Sequence, residues 1–148
     1  MSVYGKILVP IDGSPTSRRG LIEAIELAKD QRATLRVVHV LDELILGPGS
    51  EAVMYFGNTV DILREAGKKV VAEAERVALD SGLKVESAIL EVMGGSAAES
   101  IVSEASEWKA DLIVLGTHGR RGAKRLVMGS DAEEIVRTAL IPVLLVRS

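Results

Sequence analysis

The 148-residue chain contains no cysteine, so neither a disulfide framework nor a thiolate metal site is open to it. No stretch approaches the roughly 18 apolar residues of a membrane-crossing helix. The N-terminal MSVYGKILVPID has only a five-residue apolar run after Lys6, too short for the apolar region of a signal peptide. A cytoplasmic address with no membrane partner is therefore the expectation. Two histidines cannot build a Ser/His/Asp arrangement without special pleading, and no His or carboxylate pair has metal-ligand spacing. The common phosphate motifs are also missing: there is no G-x-x-x-x-G-K-[ST], and no G-x-G-x-x-G follows the first apolar run. Internal repeats and low-complexity tracts are absent.

What remains is an ordinary globular composition, 47% hydrophobic and 26% charged, long enough for one domain over residues 1–148 with a proper core. Net charge is −3, which excludes a general nucleic-acid binder. The charge is unevenly placed, because Arg120, Arg121, Lys124 and Arg125 crowd into six residues. A basic loop on an otherwise acidic protein points to a small anionic ligand rather than a polyanion.

Hydrophobic patterning alternates strand and helix throughout. KILVPID (6–12) is a continuous apolar run ending in an acid, the mark of a strand buried on both faces. Ser14 and Pro15 open a helix to about Arg32 with Leu21, Ala24, Ile25 and Ala28 inward. A β-branched strand follows over 34–42. Segment 43–57, ELILGPGSEAVMYFG, breaks the rhythm; a loop folded back onto the sheet edge is the favoured reading, with a functional lid as the alternative. Thr59 to Ser81 reads as a helix with an inward stripe of Ile62, Ala66, Val70, Ala74 and Val77 and an outward Glu65–Lys69 pair, stopped by Gly82. A strand over 83–92 and a Gly94-Gly95 turn come next. Ser96 and Glu99 form a capping box for a helix that carries Ile101, Val102, Ala105 and the single Trp108, read as packing on the sheet. Leu112–Leu115 is a strand running into Gly116. Ser130 and Glu133 read as a second capping box, with Ile135, Val136 and Ala139 inward, and PVLLV (142–146) is the last strand. The order βαβαβαβαβ implies an α/β, doubly wound, five-stranded parallel sheet with helices on both faces, and the strand order expected for it is 3-2-1-4-5.

In such a sheet a ligand sits where the strand order reverses, beyond the carboxyl ends of strands 1 and 4. Asp12 ends the first run there and Gly116 the fourth. From Gly116 the chain reads Gly116-x2-Gly119-x9-Gly129-Ser130. A strand, a glycine loop and a helix start together make an anion site, because backbone N–H groups and the helix dipole both favour negative charge.

The spacing resembles the nucleotide signature of the universal stress protein family, ATP-binding branch. KILVPIDGS, VVHV, ADLIVLGTHGR, GS and IPVLLVRS lie in the family's order along nearly the whole chain. The resemblance implies bound ATP: Pro10, Ile11, Asp12 and Val40 match the positions that hold base and ribose, and Gly116, Gly119, Arg120, Gly129 and Ser130 those that wrap the phosphates. His118, in the same loop, is within reach of a phosphate. Asp131 departs from the family, which usually has a small apolar residue there; an acid suits the helix dipole but repels a triphosphate unless its side chain turns away. Any Mg²⁺ arrives on the nucleotide phosphates. The resemblance also implies a homodimer through strand 142–147, a sheet edge without charge before Arg147.

Plainer roles stand beside these. The glycines serve as turn residues, Ser130 as a cap, Asp12 as a cap or as a partner of Lys6 or Arg18, and His39 as a hydrogen-bonded core histidine. The functional expectation is a cytoplasmic ATP-binding stress or regulatory protein read by an unidentified protein partner. The alternatives are a slow ATP hydrolase, which the lack of a dedicated base disfavours, and a nucleotide-free interaction module. Gly119→Val tests the loop directly. A β-branched side chain there clashes with phosphate or excludes a positive φ, which costs a non-glycine residue roughly 1–2 kcal/mol. Calorimetry with ATP should show nucleotide binding lost and the fold retained, with Arg120→Ala weakening binding by about 1.5–3 kcal/mol.

Overall fold

The apolar run after Gly5 forms β1 (Lys6–Pro10), whose Ile7, Leu8 and Val9 are wholly buried, as a strand covered on both faces requires. The computed structural model describes residues 3–42, 56–92, 95–117 and 129–147. Along them β1 is followed by α1 (Pro15–Gln31), β2 (Thr34–Asp42), α2 (Phe56–Asp80), β3 (Lys84–Val92), α3 (Ala97–Trp108), β4 (Leu112–Gly116), α4 (Ser130–Thr138) and β5 (Val143–Val146). The sheet is parallel, as the alternating pattern implies, and has the expected order β3-β2-β1-β4-β5. Segment 43–55 and the glycine loop residues 118–128 lie outside the described residues. So do the expectations placed on them, including the lid, His118, Gly119, Arg120 and the other loop cations.

The crossover rule assigns the helices to faces. The chain steps from β1 to β2 to β3 in one direction, then returns past β1 to β4 and β5. Right-handed crossovers therefore put α1 and α2 on one face and α3 and α4 on the other. The core follows suit. Ile7, Val9, Leu35, Val37 and Val114 pack with Leu21, Ala24 and Ile25 of α1 and Val71, Ala74 and Ala78 of α2. Leu8, Val38, Ile113 and Leu115 pack with Ala98, Ile101 and Ala105 of α3 and Ala132 and Ile135 of α4. Trp108 joins the second cluster, flanked by the Lys6 ammonium at 5.3 Å and the Arg36 guanidinium at 5.4 Å from its ring.

Two inward stripes differ from the sequence expectation. On α2, Ile62 is 67% exposed and Ala66 is also exposed, while Val60, Gly67, Val71, Ala74 and Ala78 face in. The reason is Gly67. A Cβ there would lie 2.8 Å from Cδ2 of His39, and that ring is pinned by a 2.9 Å hydrogen bond between Nδ1 and the Ile11 carbonyl. The helix comes down on the histidine at its glycine, which turns Ile62 outward. The core role expected of His39 thereby holds. On α4, Val136 is exposed and the inner row is Ala132, Ile135 and Ala139. Glu65 pairs with Lys68 at 3.7 Å, not with Lys69.

The tightest contact joins α1 to the end of β4. A Cβ on Gly116 would fall on the Thr16 carbonyl oxygen and 2.7 Å from its carbon, and a Cβ on Gly20 would lie 2.9 Å from the Gly116 nitrogen. Two glycines thus let the first turns of α1 rest on the strand backbone. Gly116→Ala should destabilise the protein by about 1–3 kcal/mol or more, because backbone has to move. Gly82→Ala is the control: with φ +85 and nothing within 4 Å, it carries only the left-handed backbone cost of roughly 1–2 kcal/mol. Urea unfolding compares the two, and a Gly116→Ala variant no less stable than Gly82→Ala would remove the packing role.

Candidate nucleotide cleft

The carboxyl ends of β1, β2 and β4 open on a cavity of about 370 Å³, within the size range of small-ligand sites. It is walled by Pro10, Ile11 and Asp12 beyond β1, Val40 of β2, Gly116 at the end of β4, and Gly129, Ser130 and Asp131 at the start of α4. Every expected site residue that is described lines this one cavity. The structure adds residues that sequence reasoning did not select: Thr16 and Ser17 of α1, Ala97 and Ile101 of α3, and Ala132 and Ile135 of α4. Their signal was topological, since every crossover helix of a parallel sheet begins at the strands' carboxyl edge.

Three helix starts meet at the cavity, and they are finished differently. Ser14 caps α1, its Oγ accepting the Ser17 N–H at 3.1 Å. Ser96 caps α3, its Oγ accepting the Glu99 N–H at 3.0 Å and donating to Glu134 Oε2 at 2.8 Å. At α4 the cap is Gly129, which has no side chain to offer. This corrects the expected Ser130–Glu133 capping box. Ser130 is the first helical residue, and the Glu133 N–H bonds back to the Gly129 carbonyl at 3.0 Å. The helix begins one residue early, with Gly129 in the same extended cap conformation (φ −64, ψ 156) that Ser14 and Ser96 hold at the other two helices. Helix geometry leaves the N–H groups of Ser130, Asp131 and Ala132 without intrahelical acceptors. They form a positive helix end at the cavity wall.

Asp12 lies two residues beyond β1 in a tight turn. Its Oδ1 accepts the Ser14 N–H at 2.8 Å, and its own N–H donates to Ser17 Oγ at 3.2 Å. Neither Lys6 nor Arg18, the alternative partners expected for it, holds it; Lys6 donates to the Trp108 carbonyl and Arg18 pairs with Glu73. Burial alone pushes the Asp12 carboxyl up, but hydrogen bonds from the Ser14 side chain and backbone and from Ser17, with the His39 charge, outweigh it and leave the group below the ordinary value. Among the described residues no group of three or more His, Asp or Glu is placed to hold a metal ion. No described helix is long and apolar enough to cross a membrane.

A model of the universal stress protein family matches residues 4–147. The chain belongs to the universal stress protein family. Universal stress protein MJ0531 of Methanocaldococcus jannaschii is 34% identical over 148 residues, spanning 99% of this chain and 84% of that relative. Among solved structures, a universal stress protein in complex with cAMP superposes with TM-score 0.70 at 25% identity, covering 98% of each chain. The universal stress protein from Archaeoglobus fulgidus in complex with dAMP superposes with TM-score 0.69 at 25% identity, covering 98% of this chain and 99% of that one.

In this universal stress protein the Asp12 turn has a pH signature. A carboxyl depressed in the folded state contributes stability above its unfolded value of about 3.9 and loses it as pH falls through the lower folded value. Asp12→Asn should therefore be less stable than wild type at pH 7. The difference should vanish as pH falls below the usual carboxylate range. Denaturation at neutral and acid pH measures it, and a difference that persists unchanged at low pH would point to a purely steric effect.

Proposed function

We propose that the cleft binds an adenine nucleotide, with ATP as the physiological ligand, and that occupancy of the site is the state this protein presents to a protein partner during a stress response. The carrying observation is the convergence of the described signature residues on one cavity beside a helix start without a side-chain cap. The two superposable relatives in complex with cAMP and dAMP support the adenine class.

The residues present fit such a ligand. Ile11, Val40 and the apolar wall behind them offer a surface for a flat base, and Asp12 offers an acceptor for ribose hydroxyls. The N–H groups at the start of α4, with the Ser130 hydroxyl, suit phosphate oxygens. Gly119, Arg120 and His118 complete the phosphate side in this reading. Asp131 is exposed at the helix start, so its carboxylate can turn to solvent while its N–H faces the phosphates. Mg²⁺ would enter with the phosphates rather than on a protein cage. The bound nucleotide supplies a charged phosphate group whose presence or loss changes the surface at the strand ends.

Hydrolysis in this reading is slow, orders of magnitude below the median enzyme turnover of about 10 s⁻¹, since His118 is the single loose candidate for orienting water. Phosphate release of several per second abolished by His118→Ala would instead assign an ATPase. The assembly we infer is a homodimer through β5, which is the sheet edge beyond β4 and leaves Leu144 37% exposed. Leu144→Lys should then sediment as a monomer where wild type sediments as a dimer. A cytoplasmic location completes the reading.

Mass spectrometry of nucleotide released from the purified protein, with calorimetry of ATP and Mg²⁺, tests the site. Binding with Asp131→Ala equal to or tighter than wild type is expected, because a negative charge near the phosphates is removed. No binding at millimolar ATP would reduce the intact signature to scaffold.

A further inference from the structure

A second cavity, of about 320 Å³, lies between α1 and α2, with residues of both helices and of the Ile11–Ser14 segment along it. Its walls are largely apolar, with Ile22, Val70 and Val77 among them, and Ile22 is 49% exposed there. Among the described residues the charged lining is Arg18, Lys69 and Glu73, cationic on balance. Arg18 and Glu73 pair at 3.6 Å, so they offset each other. Lys69 has no ionic partner among the described residues: of the two acids one turn away on α2, Glu65 pairs with Lys68 and Glu73 with Arg18. A groove with an apolar lining and one uncommitted ammonium is complementary to a molecule with an apolar body and a single negative head. From Lys69 to Val77 the α2 wall runs about 12 Å at 1.5 Å per residue, room for a medium-length chain.

We propose that this groove is a second ligand site for a small amphipathic carboxylate, its chain lying between α1 and α2 and its head on Lys69. Ile11, Ser14 and Ser17 line both this groove and the nucleotide cleft. The hydrogen-bonded turn from Asp12 to Ser17 is thus a shared wall, and occupancy of the groove is linked to nucleotide affinity in both directions. That linkage, unlike the groove site itself, rests on the nucleotide reading.

Decanoate is the probe, titrated into the full chain without nucleotide and followed by methyl resonances of Ile22, Val70 and Val77. Saturable one-to-one binding with shifts confined to this groove is expected. Ile22→Glu, a change at a half-exposed position, should weaken it about tenfold or more by setting a negative charge in the apolar lining. Lys69→Ala should weaken it about two- to fivefold, the scale of an exposed ion pair, and should abolish any preference for decanoate over decanol. Absence of saturable binding below the micellar concentration, or binding indifferent to both variants, overturns the site. Repeating the titration with ATP bound should change the decanoate affinity about fivefold or more. An unchanged affinity, with ATP binding separately confirmed by calorimetry, overturns the linkage. Failure of ATP to bind removes the nucleotide reading and leaves the groove site standing on the first titration.

Discussion

The arrangement depends on the close approach of the first turns of α1 to the end of β4. Thr16 carbonyl and Gly20 rest against the backbone of Gly116 with no side chain between them. Because α1 leaves β1, this contact ties the end of β1 to the end of β4 at the point where the sheet reverses order. It sets the width of the crevice and brings Ser14, Thr16 and Ser17 across from the start of α4. Gly116, expected from the family resemblance to wrap a phosphate, thus has a packing duty in addition to lining the cleft.

The same contact fixes the chemistry available at the crevice. Serine side chains satisfy N–H groups at the starts of α1 and α3. The start of α4 has a glycine cap and keeps its first N–H groups pointing out of the helix. Of the three, it is the start best suited to an external anion. Opposite it, Asp12 is held below the ordinary carboxyl value by hydrogen bonds from Ser14 and Ser17 that outweigh its burial. Positive dipole and ionised acid therefore face one cavity from different sides. That pairing suits a molecule with phosphate at one end and hydroxyl donors at the other.

The Asp12–Ser17 turn separates two cavities. On one side lies the cleft at the strand ends, on the other the groove between α1 and α2. The turn is held by short local bonds: Ser14 N–H to Asp12, Asp12 N–H to Ser17, and Ser17 N–H to Ser14. Any change in one cavity meets a wall that also belongs to the other, which gives the fold a physical route for coupling without a long chain of contacts.

The sequence by itself determined the element order, the parallel sheet and the place of the cleft. Hydrophobic period separates strands from helices, and the crossover rule makes the strands parallel; the order β3-β2-β1-β4-β5 matches the one expected. Helix starts at Ser14 and Ser96 were legible because a side-chain oxygen three residues before a free N–H is a local device. Tertiary structure alone decided which faces turn inward where a neighbour intrudes. His39, pinned to the Ile11 carbonyl, meets α2 at Gly67 and turns Ile62 out. Val136 is likewise apolar yet outward, beside the inner row of Ala132 and Ile135. Tertiary structure also decided that Gly129 rather than Ser130 caps α4, that Asp12 bonds within its own turn rather than to a cation, and that a second cavity exists beside the first. The physical reason is common to these cases. Period and propensity report on a residue's own segment, whereas steric contact across segments is set by where the backbones are brought together.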